Sequence, residues 1–205
     1  MRTTALLPIV ASLAILASVS LAQDAPATKA GLLPIEPFAG LAVGDWWVHV
    51  AGTTSSSVVK SVVTGVADGK VTIREECAGK SSDLTVDAKG TTLRGFLRTD
   101  LFDETVTCVA EAKAVEGRTF ACQKVTVRYG WPSGWREYRL WFSSEVKGGL
   151  VAREIEAHAG GPRVREIPSP PSVSSEVLAG FGTKDGKLWG KTAEEATKAV
   201  APEKK

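Results

Sequence analysis

The sequence predicts a mostly β protein, an antiparallel meander bent into a curved sheet or half-barrel, with a short C-terminal helix. Three observations carry this. From Trp46 to Ile167 apolar and polar residues alternate with period two, the pattern of strands with one wet face. Turn signals cut the alternation at short intervals, at Asp68-Gly69, Lys89-Gly90, Glu116-Gly117, Gly148-Gly149 and Gly160-Gly161. No helical stretch intervenes, and links this short join antiparallel neighbours rather than parallel ones.

The elements follow in order. Residues 1–22 read as a signal peptide: Arg2 supplies the positive start, Ala5 to Leu21 the apolar run, and Ser20-Leu21-Ala22 the small-residue cleavage site before Gln23. No cysteine follows directly, which argues against a lipid-anchored form. A leader spans 23–37. The predicted β domain, 38–181, contains strands at 45–51, 56–67, 70–77, 82–87, 91–98, 104–111, 118–129, 135–144, 150–158 and 162–167. In 118–129, Phe120 and Cys122 have one parity and Val125 and Val127 the other, so a bulge near Gln123-Lys124 is expected to reconcile them. Pro168 to Ser172 is a stiff connector, and Val173 to Phe181 can supply a last strand packed back on the sheet. The tail, 182–205, holds a short helix after Thr192, where Thr192 and Glu195 fit a capping box.

Composition narrows the function classes. The chain has 205 residues, 43% hydrophobic and 23% charged, so neither a multi-span membrane protein nor a disordered one fits. A net charge of +2 gives no reason to expect a nucleic-acid partner. No membrane span is expected after signal cleavage, and the destination is the periplasm or exterior of a bacterium. In that oxidising compartment two of Cys77, Cys108 and Cys122 are expected to pair. The hairpin reading of 104–129, centred on Val115, puts Cys108 opposite Cys122 and makes them the disulfide candidate.

Motifs with chemistry fail one by one. Ser57-Val58-Val59-Lys60 has the spacing of an acyl-enzyme serine and lysine, but on a strand those residues face opposite ways. Gly190-Lys191-Thr192 lacks the first glycine of a phosphate loop, since Asp185 stands there. Glu154, Glu156 and His158 share one strand face and form a weak metal candidate, against the simpler reading of a solvated charged face. His49 reads as a hydrogen-bonded structural residue, and no acidic residue stands out in an apolar run. The expectation is therefore no catalytic residue, no metal and no cofactor.

The aromatics are the least ordinary feature. Trp46 and Trp47 are adjacent and must point to both faces of a strand; Trp135 and Trp141 lie opposite Tyr138, Leu140 and Phe142. Either these aromatics close both layers of a sheet, or a concave face holds an apolar ligand, with Trp47, Trp135 and Trp141 as contacts. The hairpin Leu140-Trp141-Phe142-Ser143-Ser144-Glu145-Val146-Lys147-Gly148-Gly149-Leu150-Val151 and the opening Gly44-Asp45-Trp46-Trp47 resemble segments of exported bacterial β-rich proteins of unassigned function. That resemblance implies a secreted single-domain β protein. At the level of fold alone the chain is similar to periplasmic lipoprotein-carrier half-barrels, which hold acyl chains on a curved sheet. The expected function is a non-enzymatic exported protein binding a lipid-like apolar ligand. A protein–protein or envelope-assembly module with a cell-envelope partner is the alternative, and a metal-dependent hydrolase ranks below both.

Overall fold

The computed structural model describes residues 35–52, 57–88, 105–131, 134–159 and 172–200. The expected strands at 91–98 and 162–167, the signal segment and most of the leader lie outside them. The described residues form β1 (Trp46–Ala51), β2 (Ser57–Ala67), β3 (Lys70–Cys77), β4 (Lys80–Asp87), β5 (Thr105–Val115), β6 (Arg118–Trp131), β7 (Gly134–Phe142), β8 (Leu150–Ala159), β9 (Ser172–Thr183), β10 (Gly186–Gly190) and α1 (Ala193–Val200). All pairings are antiparallel, in the order β4-β3-β2-β1-β9-β8-β7-β6-β5, and the sheet is curved and unclosed. The predicted class is observed.

Beyond the expected 181 the sheet continues. β9 runs to Thr183 and β10 turns back against it, pairing Gly186–Gly190 with Gly180–Thr183. β9 therefore pairs with β1 along most of its length. On its other side β8 covers residues 172–177 and β10 covers 180–183. Far from closing the meander, β9 lies at its centre.

The β5–β6 hairpin closes on Val115 opposite Arg118, with Glu116 and Gly117 at φ 45° and 81°. A two-residue turn of this kind fixes the register. It sets Cys108 opposite Val125 and Cys122 opposite Glu111, so the two cysteines stand three positions out of step on opposite faces. The expected Cys108–Cys122 disulfide does not form, and Cys77, Cys108 and Cys122 are all free thiols. The Cys108 thiol donates toward Gln123 Oε1 and the Cys122 thiol toward the Phe120 carbonyl, both at 3.5 Å. Burial raises the pKa of each.

Nor does β6 bulge at Gln123-Lys124, where its ladders to β5 and β7 stay in register. The change of parity has another cause: both faces of this strand are covered, at different ends. Phe120 and Cys122 pack with Val115, Trp141 and Val151, while Val125 and Val127 pack with Val106, Leu140 and Phe142. Trp189 on β10 seals the first group, meeting the Phe120 ring edge-on at 5.2 Å and Phe181 at 6.0 Å. Aromatic contacts of this geometry add about 0.5–1.5 kcal/mol beyond the area they bury.

Helix α1 packs Ala196 against Val48 and Ala179. Its start is the expected capping box: Thr192 N–H donates to Glu195 Oε2 at 2.7 Å, and Glu195 N–H donates to Thr192 Oγ1 at 3.3 Å. With only Ala196 buried, the helix depends on this cap and on the sheet beneath it.

Candidate functional site

A cleft of about 750 Å³ lies on one face of the curved half β4-β3-β2-β1-β9, reaching β8 and the β7–β8 loop. Its lining follows from register. Trp47 pairs with Ser61 and Phe181, and His49 with Val59 and Leu178. Across the next ladders Val59 meets Cys77, Ser61 meets Glu75, Ile73 meets Leu84 and Val71 meets Val86. Side chains two apart on each strand share this face, so the alternation of β1 to β4 builds one continuous wall.

The wall is graded along the strand direction. By register, Val86 and the Ile73–Leu84 pair stand at one end, Trp47 shares the middle with Ser61, Glu75 and Ser82, and His49, Cys77 and Lys80, then Arg153 and Glu176, stand at the other. Trp47 is 6% exposed. It is held from outside by the β7–β8 loop, where a Cβ on Gly148 would fall 2.5 Å from the indole Cε2. That loop is fixed by Ser143 N–H donating to the Gly149 carbonyl at 2.8 Å and by the Lys147 ammonium on the buried Asp45 carboxylate at 2.9 Å. The Trp-aromatic-Ser-x-Glu-Val-x-Gly-Gly hairpin thus serves as a buttress for the cleft wall at Trp47.

The polar end is a chain of three side chains. His49 is buried, and its Nε2–H donates to the Leu150 carbonyl at 2.9 Å, because that oxygen can only accept. Its Nδ1 lies 3.6 Å from Glu176 Oε1. The other carboxylate oxygen of Glu176 pairs with the Arg153 guanidinium, whose side chain keeps 30% exposure. His49 is the hydrogen-bonded structural residue expected. Glu176, 9% exposed, is the inward-facing acid that sequence reading passed over. Part of the signal is in the sequence: Arg153 shares its parity with Val151, Ile155 and Ala157 and so puts a charge on an apolar face, whereas Glu176 shares its own with Ser172 and Ser174 and does not stand out.

The three predicted contact tryptophans do not converge. Trp47 lines the cleft, but Trp135 and Trp141 stand on the opposite face, since Trp141 pairs through Ala152 and Val177 to Val50, the residue that alternates with His49. Cations cover both of them. Arg128 lies 4.6 Å from the Trp135 ring centroid, and Lys113 and Lys124 lie 3.7 and 5.3 Å from that of Trp141. The Trp141 N–H donates to Glu111 Oε1 at 2.9 Å, and Glu111 also accepts from Lys124 at 2.9 Å. The Lys124 hydrogen bond is the main reason the Glu111 pKa lies below the ordinary glutamate range.

The metal candidate on this same face is tied up by cations. Glu154 pairs with Lys113 at 3.0 Å, and Glu156 with Arg139 at 2.7 Å. The side chain of His158 lies outside the described residues. Among those residues, no group of three His, Cys, Asp or Glu side chains could hold an ion. Compared with protein families, with curated proteins and with solved structures, the chain matches none.

Proposed function

We propose that this is a non-enzymatic, exported binding protein that holds a lipid-like apolar ligand in the cleft of its curved sheet. The observation that carries the reading is the cleft itself. Its volume, about 750 Å³, falls in the range of small-molecule sites, and its wall joins an apolar end at Ile73, Leu84 and Val86 to a charged end at Arg153 and Glu176, with Ser61 and Glu75 between. Each methylene transferred from water to such a wall contributes about 0.8 kcal/mol, so an acyl chain of ordinary length has ample driving force. Because Trp135 and Trp141 stand on the face opposite the cleft, the contact set moves from the three tryptophans to Trp47, Ile73, Leu84 and Val86.

Native mass spectrometry of the protein exported from a bacterial host tests this. Extra mass that leaves on denaturation and extracts as lipid is the expected result. Leu84→Glu, a half-buried change on β4, the last strand of the sheet among the described residues, should abolish it while far-ultraviolet circular dichroism stays that of the parent. A bare wild-type protein that also refuses added palmitate would overturn the reading.

A further inference from the structure

We infer that the ligand is an amphiphile with an anionic head, and that Arg153 is the residue that takes that head. The inference rests on the binding function proposed above and adds the chemical class of the ligand. Along the strands the cleft passes from Ile73 and Leu84 at one end, past Ser61 and Glu75 level with Trp47, to Arg153 and Glu176 at the other. An apolar chain laid along the strands therefore presents its head to the second end.

The charges there are arranged in favour of an anion. Glu176 pairs one carboxylate oxygen with Arg153, and its other oxygen lies 3.6 Å from His49 Nδ1. The guanidinium offsets its charge, so Glu176 offers little to a cationic head. Arg153 is different: a guanidinium has five N–H donors, and its side chain keeps 30% exposure toward the cleft. Glu176 holds the planar group in place, and a bidentate contact to an incoming carboxylate uses donors that Glu176 does not. Lys80, exposed at the same end of the cleft, adds a second positive charge, while Glu75 lines the wall nearer Trp47, one pair further along β3. Glu176 is a positioning residue.

The test compares three amphiphiles of one chain length, palmitate, hexadecanol and hexadecylamine, as competitors of the neutral dye N-phenyl-1-naphthylamine and by direct native mass spectrometry. The expected order is palmitate first, tighter than hexadecanol by about tenfold or more, as for a charge-assisted hydrogen bond in a partly desolvated site. Arg153→Gln should erase that preference while leaving hexadecanol affinity within about threefold. Because removing Arg153 leaves Glu176 without its cation, a second variant guards against a folding artefact. Arg153→Gln combined with Glu176→Gln, which removes both charges, should show the same lost preference. Equal affinity for palmitate and hexadecanol in the wild type overturns the head-group inference and leaves the apolar-ligand function standing. Tightest binding of hexadecylamine also overturns it. Binding of none of the three refutes the function itself.

Discussion

Gly148 packs directly on the Trp47 indole in the wall of the cleft, and replacing it by alanine has a cost that can be worked out. Its φ is +75°, a region in which a side chain costs about 1 kcal/mol. The new Cβ would sit 2.5, 2.7 and 2.8 Å from three atoms of the Trp47 indole. Those ring atoms cannot yield cheaply, because Trp47 is 6% exposed and packed on its other sides. Forcing a methyl into such a contact costs about 1–3 kcal/mol more. The sum, about 2–4 kcal/mol, lowers Tm by roughly 5–15 °C in a domain of this size. Gly117 supplies the control. Its φ is +81°, but a Cβ there meets nothing within 4 Å. Gly117→Ala should therefore cost the backbone term alone, about 2–4 °C. Thermal unfolding followed by circular dichroism, with near-ultraviolet spectra to report the indole, separates the two. Equal shifts for Gly148→Ala and Gly117→Ala would refute the claim that the loop braces Trp47.

Two further outcomes follow from groups away from the cleft. Without any reductant, the denatured chain should react with three equivalents of a thiol reagent; in the native state Cys108 and Cys122 should lag, because burial raises both pKa values and keeps them as thiols near neutral pH. Two unreactive sulfurs in the denatured chain would restore the disulfide. The depressed pKa of Glu111 has a definite sign: its contribution is complete above the ordinary glutamate range and is lost as pH falls through the lowered value. Glu111→Gln should thus be less stable than the parent at neutral pH, by under about 1 kcal/mol for so exposed a pair. In urea titrations that gap should close in acid, and one that widens there would contradict the assignment.

Much of the fold was legible because alternation and turns are local signals. The face assignments of Tyr138, Leu140 and Phe142 against Trp135 and Trp141 hold, as does the Thr192–Glu195 cap. The errors have a common source, in quantities that depend on counting across a turn or on what lies over a face. Setting the hairpin centre at Val115 instead of between Glu116 and Gly117 slipped the cysteines by three positions, and an odd slip reverses the face. A strand with Phe120 and Val125 on opposite sides suggested a bulge, because nothing local reveals that β10 brings Trp189 over one end of it. The cleft was half visible. Trp47 is legible as a contact, but Arg153 and Glu176 are set opposite each other by the β8–β9 register, and Glu176 lies on a parity with serines that gives no sign of its burial.

The position of β9 also bears on the order in which the molecule can assemble. β1 to β4 and β5 to β8 are each local meanders, formed by neighbours in sequence, and among the described residues the backbone ladder joins them through residues 172–183. Pairing Trp47 with Phe181 closes a loop of more than a hundred residues, an entropic cost that neither meander meets alone. The two halves can therefore form early and separately, and the step that unites them waits for the C-terminal strand. That step is also when the cleft first exists, since its floor on β1 and its polar anchors on β8 and β9 belong to different halves until then.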